Sequence, residues 1–333
     1  MNLKGKHFLT TDDWTREELD VVFQRAAELK EQFYKEEPHL HLPWKTLFMI
    51  FFEQSTRTRN SMEAGMTQLG GHAHDLTADK MQLSHGESAK DTAIILSRMG
   101  HGIASRNCFY GIGKDYLAEM AKHSTKPVMS LQDDIYHPFQ GLADLMTIFE
   151  KFGTNTKGLK VTVWAYADTH SKPLSVPQTQ ALLFPRYGID LTIANPKEFP
   201  LSQDIIERAE KNAEVGGGSL NFTNDMDEAF EGAHIVIPKN WGGFGHYSVQ
   251  DYLDNEDQCK VEMKENLEKY HDWICDRRRI NLADKDVKLM HALPADRGHE
   301  VTDEVIDDEN ISVVFDEAEN RLHTAKAIMS LTM

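Results

Sequence analysis

The chain has 333 residues, with 36 Lys+Arg against 53 Asp+Glu and a formal net charge of −17. At roughly 100–200 residues per domain that length predicts two domains, each able to bury a substantial core. The acidity excludes a nucleic-acid or anionic-membrane surface, which needs a basic face, but not an anionic small molecule held in a locally positive pocket.

In chain order, the apolar run 46–52 (TLFMIFF) predicts a strand buried on both faces. Met62, Met66 and Leu69 follow at helical spacing. His72-Ala-His74 reads as a surface loop rather than a metal pair, since no third ligand stands at motif spacing. Thr92, Leu96 and Met99 mark another helix, 102–105 a short strand-like run, and 127–131 (PVMSL) a strand. In 138–152, Leu142, Leu145, Met146 and Phe149 recur at helical spacing behind an initial proline. The polar stretch 153–160 (GTNTKGLK) predicts a junction, with domains at 1–150, completed by a C-terminal helix at 316–333, and at 151–315. Beyond it, strands at 161–166, 189–194, 234–237, 288–291 and 311–315 alternate with helices at 176–187, 203–215, 225–231, 257–271 and 316–331. Gly216-Gly217-Gly218 predicts a plain turn. Two consecutive βα series imply two open, mostly parallel, doubly wound α/β domains.

Cys108, Cys259 and Cys275 lie far apart without C-x-x-C spacing, and read as reduced thiols of a cytoplasmic protein. No apolar run approaches membrane-spanning length, and the N-terminus lacks an apolar signal core.

The chemistry concentrates at 51–59, FFEQSTRTR. A buried strand ends, hydroxyls and arginines follow, and a helix begins; strand carboxyl ends and helix N-termini both suit phosphate. Ser55, Thr56 and Thr58 offer hydroxyl donors and Arg57 a charged planar fork. The alternative, a hydroxyl N-cap with solvated arginines, fits a lone S-T better than S-T-R-T-R. Arg106 stands at the end of the next strand-like run. In 134–144, DIYHPFQGLAD, His137 and Gln140 lie three apart at a helix start, where they share a face. A histidine and an amide so placed polarise a carbonyl and fix an NH₂ group.

S-T-R-T-R, the later arginine and H-P-x-Q-x-L-A-D resemble the carbamoyl-phosphate domain of the aspartate and ornithine transcarbamylases. In the second half, 290–294 (MHALP) resembles the family's H-x-L-P segment and 319–326 (ENRLHTAK) its C-terminal segment. The resemblance implies that Ser55, Thr56, Arg57 and Thr58 bind the phosphate of carbamoyl phosphate. It implies that Arg106 bridges phosphate and carbonyl oxygen, that His137 donates to that oxygen, and that Gln140 holds the carbamoyl NH₂ with the Leu293 backbone carbonyl. The resemblance also implies that Arg321 completes the set from the other domain. The resemblance thus implies that Thr58, Arg106, His137 and Gln140 carry the catalysis, with no metal, cofactor or covalent nucleophile required. The resemblance further implies a homotrimer in which a neighbouring subunit's loop, 81–88 (MQLSHGES) with His85 and Glu87, enters each site.

The acceptor signals depart from the two familiar members. Position 292 is Ala rather than Cys, no S-M-G loop is present, and H-P-L-P-R is absent. The segment 164–178 (WAYADTHSKPLSVPQ) resembles the proline-containing loop of the knotted transcarbamylases, including those acting on N-acetylornithine or N-succinylornithine. That likeness implies a deep knot in the second domain, an exception to the usual rule. Trp164, Lys172, Gln178, Lys239 and Trp241 are the acceptor-site candidates, a lysine holding a carboxylate and the aromatics shaping a pocket. The 242–245 stretch (GGFG) reads as a closing lid.

The function so implied is transfer of a carbamoyl group to the amine of an amino acid, an ornithine derivative or other diamino acid, giving a ureido product and phosphate. The competing readings are ornithine carbamoyltransferase proper and a non-catalytic phosphoanion-binding paralogue. A nicotinamide enzyme is disfavoured because no G-x-G-x-x-G follows any predicted strand.

Overall fold

The computed structural model describes residues 1–82, 86–166, 172–242 and 247–333. The chain divides into two compact units, Met1–Met146 with Glu319–Met333, and Thr147–Ala318.

The first unit begins with α1 (Arg16–Tyr34). Its start is set by a reciprocal cap: the Thr15 hydroxyl accepts from the Glu18 N–H, and the Glu18 carboxylate accepts from the Thr15 N–H. There follow β1 (Thr46–Phe51), α2 (Arg57–Gln68), β2 (His72–Thr77), α3 (Ala89–Met99), β3 (Gly102–Asn107), α4 (Gly113–His123), β4 (Val128–Asp133) and α5 (Pro138–Phe152). The strands are parallel, in the order β2-β1-β3-β4. Interior β1 is buried almost throughout, which is why its sequence is a continuous apolar run. β2 is an edge strand with an exposed, polar sequence, HAHDLT. The loop expected at His72-Ala-His74 is therefore corrected: both histidines are exposed residues of a paired strand.

The second unit continues with β5 (Lys160–Tyr166), α6 (Ser175–Leu183), β6 (Asp190–Ala194), α7 (Gln203–Gly216), β7 (Ser219–Thr223), α8 (Met226–Phe230) and β8 (Ile235–Asn240). Then come α9 (Val249–Asp254), α10 (Glu256–Glu268), α11 (Arg277–Ile280), β9 (Lys288–Leu289) and α12 (Asp303–Ile306). Its parallel sheet has the order β7-β6-β5-β8-β9. The turn at 216–218 closes α7 through Gly217, whose φ of +76° suits glycine. The strand expected at 311–315 is also corrected. Ser312 makes a single bridge to Leu289, and from Val314 the chain is already helical.

That last helix, α13 (Val314–Thr332), passes from the second unit into the first. Within the first unit a fully buried lysine holds it. Lys326 Nζ donates to Gln68 Oε1 at 2.9 Å and to the Leu29 carbonyl at 3.3 Å. Burial pushes the pKa of this ammonium down to about 8. Both units are parallel α/β sheets, as the βα alternation predicts. Among the described residues no helix is long and apolar enough to cross a membrane.

Candidate active site

In the first sheet the chain order reverses between β1 and β3, and such a reversal opens a crevice at the strands' carboxyl ends. Pairing sets Phe51 beside Arg106, and the Phe52 N–H donates to the Arg106 carbonyl at 3.1 Å. Strand register thus sets the end of β1, four residues before the S-T-R-T segment begins, beside Arg106. Ser55 and Arg57 are half-buried, Thr56 is exposed and Thr58 is buried. Thr56 precedes α2 without capping it through its side chain, so the simple N-cap alternative does not describe it. The motif's two arginines differ. Arg59 pairs with Asp75 and lies over the Phe51 ring, 4.0 Å from its centroid, a structural role.

Arg106 Nε lies 3.8 Å from Glu53 Oε2, and Glu53 Oε1 accepts from the Cys108 N–H at 2.9 Å. Burial raises the Glu53 pKa against the lowering pull of the Cys108 N–H and Arg106. Sequence reasoning passed over Glu53, although it stands inside the motif at 51–59.

Arg321 links distant parts of the unit. It is 2 % exposed, and its guanidinium donates to Gln140 Oε1 at 2.5 Å and to Thr58 Oγ1 at 2.7 Å. It reaches them from the part of α13 that belongs to this same unit, so its expected origin in the other half of the fold is corrected. Gln140 Nε2 donates in turn to Asp144 Oδ1 at 2.6 Å. His137 is buried directly before α5, and its carbonyl accepts from the Gln140 N–H.

The turn that delivers His137 is built on two buried aspartates. Asp133 Oδ1 accepts from the Ile135 and Tyr136 N–H groups, and the Ser130 hydroxyl donates to Oδ2. Asp134 accepts from the Gly111 and Lys114 N–H groups and so caps α4. Gly113 is required there, since a Cβ would lie 1.9 Å from the Asn107 carbonyl oxygen.

Burial pushes the Asp133 pKa up to about 7, against the Tyr136 N–H and with help from Asp134. A carboxyl whose folded pKa exceeds its unfolded value of about 3.9 holds a proton that the unfolded chain has lost, so stability falls as pH rises from about 4 to 7. Asp133→Asn is therefore expected to be more resistant to urea than the parent at pH 8, by an amount that shrinks toward pH 4. Paired urea titrations at the two pH values check this; a pH-independent difference refutes it.

In the second sheet the order reverses between β5 and β8, where Ala165 pairs with Lys239. The Gly242 N–H donates to the Lys172 carbonyl at 2.9 Å, bringing two acceptor candidates to this switch point. Lys172 Nζ pairs with Asp296 Oδ2 and lies 3.9 Å from Glu300 Oε1. Lys239 is buried, and its ammonium donates to the Asn240 carbonyl at 2.9 Å.

The other three candidates are enclosed more deeply. Trp164 is fully buried in the core, its ring centroid 4.8 Å from that of Phe230. Gln178 is fully buried and accepts from the Ser202 N–H. Trp241 is fully buried and donates its indole N–H to the Phe199 carbonyl at 3.0 Å. Gln178 and Trp241 are thus both enclosed and hydrogen-bonded, whereas Trp164 is held by packing alone, its indole N–H buried without a partner among the described residues.

Sequence reasoning missed Glu300, the hub of this region. Its Oε1 accepts from the Asn240 N–H at 2.7 Å, and its Oε2 from the His291 ring and the Asp296 N–H, both at 2.8 Å. His291 Nδ1 accepts from the Leu293 N–H at 2.7 Å, which puts the ring proton on Nε2, facing Glu300. Burial alone would raise the Glu300 pKa; His291, Lys239 and Lys172 outweigh it and hold the carboxyl well below the usual range. Leu293 has a φ of +50°, uncommon for a branched side chain, and this turn fixes where its carbonyl points.

Glu87 accepts from the Thr92 hydroxyl at 3.0 Å. His85, the 243–245 part of the expected lid and the 167–171 part of the expected knot loop lie outside the described residues. Among the described residues no group of three or more His, Cys, Asp or Glu could hold a metal ion.

Residues 6–150 match the aspartate/ornithine carbamoyltransferase carbamoyl-P binding domain, and residues 168–332 match the Asp/Orn binding domain of the same family. An ornithine carbamoyltransferase of Pyrococcus abyssi is 37 % identical over 333 residues, covering 100 % of this chain and 97 % of that protein. One from Halalkalibacterium halodurans is 37 % identical over 330 residues, covering 99 % and 96 %. The solved ornithine carbamoyltransferase of Pyrococcus furiosus superposes with a TM-score of 0.87 at 35 % identity, covering 100 % of this chain and 98 % of that one. An acetylornithine transcarbamylase complexed with acetylcitrulline gives 0.86 at 31 %, covering 98 % of each chain.

Proposed function

From the premise that this chain belongs to the aspartate/ornithine carbamoyltransferase family, we propose which residues perform its reaction and which amine it takes. The protein is a carbamoyltransferase that moves the carbamoyl group of carbamoyl phosphate to an amino acid. Ser55, Thr56, Arg57 and Thr58 hold the phosphate, and Arg106 bridges it to the carbonyl oxygen. His137 donates to that oxygen while the amine attacks the carbonyl carbon. Charge grows on the oxygen as the tetrahedral intermediate forms, so donors aimed there stabilise it more than the substrate. The C–O bond to phosphate then breaks, the amine loses its proton, and a ureido product remains. Gln140 and the Leu293 carbonyl orient the carbamoyl NH₂. The observation that supports this reading is the buried ladder joining Thr58, Arg321 and Gln140, residues from three separate motifs.

The acceptor is the amine of an ornithine derivative or another diamino acid. Lys172 and Lys239 are the cations available to its carboxylate, with Lys172 exchanging Asp296 for the ligand. The chain acts as a cytoplasmic homotrimer, with His85 and Glu87 of one subunit completing a neighbour's site and a knot in the second domain. Ornithine itself is the second reading, favoured by the names of the 37 % identical relatives. Amine-dependent phosphate release with ornithine, N-acetylornithine, N-succinylornithine and shorter diamino acids decides. Highest kcat/KM on ornithine would overturn the first reading. Tight carbamoyl-phosphate binding without release on any amine is the result expected of a non-catalytic binder.

A further inference from the structure

The Thr58–Arg321–Gln140 ladder has a fourth member. Asp144 is fully buried on α5, one helical turn beyond Gln140, and accepts from Gln140 Nε2 at 2.6 Å. A guanidinium can only donate and a carboxylate can only accept. Gln140 is held between one of each, with Arg321 on its oxygen and Asp144 on its nitrogen. Of the two orientations of the amide, only one satisfies both neighbours; the flipped amide would set donor against donor and oxygen against oxygen.

We infer that Asp144 is a positioning residue, which sets the Gln140 amide so that its oxygen is presented to the carbamoyl NH₂ and to Arg321. This rests on the reading of Gln140 as a carbamoyl-binding residue. The role separates the two halves of the substrate. The phosphate is assigned to residues 55–58, at the start of α2, and to Arg106 on β3, whereas the amide half depends on the orientation of Gln140. Loss of the carboxylate leaves a buried amide N–H₂ with a missing acceptor and frees the amide to turn.

Asp144→Leu removes the acceptor, and Asp144→Asn keeps an oxygen there. Dissociation constants for carbamoyl phosphate and for inorganic phosphate, measured by calorimetry alongside thermal melting, give the readout. In Asp144→Leu, carbamoyl phosphate is expected to bind at least about tenfold more weakly while inorganic phosphate stays within about twofold. Asp144→Asn is expected to restore carbamoyl-phosphate binding to within about threefold of the parent. Should the leucine variant not fold, Asp144→Ser, which is smaller and polar, gives the same comparison. A folded truncation that weakens both ligands equally, or neither, overturns the inference, as does an asparagine variant no better than the truncation. Parent protein that binds carbamoyl phosphate no better than phosphate would overturn the Gln140 reading itself.

Discussion

Arg57→Ala is expected to weaken carbamoyl-phosphate binding by about two orders of magnitude or more, the usual effect of truncating one member of a hydrogen-bonded charge pair. Arg57 opens α2, six residues after β1 ends at Phe51, the residue that pairs with Arg106 of the neighbouring strand. Arg59→Ala is the internal control. Its guanidinium is committed to Asp75 and the Phe51 face, so carbamoyl-phosphate affinity is expected to change by less than about threefold while some stability is lost. Calorimetric titration of both variants separates the roles. Equal losses would mean that the motif acts only through its summed charge, and unchanged affinity in Arg57→Ala would refute the assignment.

Glu300→Ala is expected to destabilise the protein by about 3–5 kcal/mol near neutral pH. Three N–H donors, from Asn240, Asp296 and the His291 ring, would lose a buried acceptor, and Lys172 and Lys239 a nearby counter-charge. The pH dependence follows from the depressed folded pKa. Such a carboxylate contributes fully above its unfolded value, about 4.3, and loses that contribution as pH falls toward the folded value. The gap between parent and variant should be constant above about pH 5.5 and narrow on acidification. Urea titrations across that range test it, and a gap that widens toward low pH would contradict the charge assignment. A second consequence is local, since His291 would lose the acceptor of its Nε2 proton, which loosens the ring that accepts from the Leu293 N–H.

Much of the fold can be read directly from the sequence, because interior parallel strands bury both faces. The run TLFMIFF and the segment at 161–166 stand out for that reason. The edge strands do not: β2 is HAHDLT and β7 is SLNFT, both partly exposed and free to carry polar residues. The segment at 311–315 has a strand's composition, yet its end is taken up by the first turn of α13. For the candidate site, short motifs located Thr58, His137, Gln140 and Arg321, but not the carboxylates that hold them. Asp144 and Glu53 sit inside quoted motifs, and Glu300 lies six residues beyond Pro294 of the His-Ala-Leu-Pro segment, where an acid resembles ordinary surface charge until its partners are known. Trp164, Gln178 and Trp241 show how little of a side chain's surroundings a sequence reveals. Their composition suits a pocket, but their place at strand ends and on a core-facing helix buries them.

The central claim is that this chain transfers a carbamoyl carbon to an amine. Carbamoyl phosphate labelled with carbon-13 at its carbonyl, incubated with the protein and an acceptor mixture containing N-acetylornithine, N-succinylornithine, ornithine and shorter diamino acids, tests it most directly by carbon NMR. The account predicts a new ureido carbonyl resonance that grows with phosphate release and disappears in Arg57→Ala. Label recovered only as bicarbonate and cyanate, at the rate seen without protein, would contradict it.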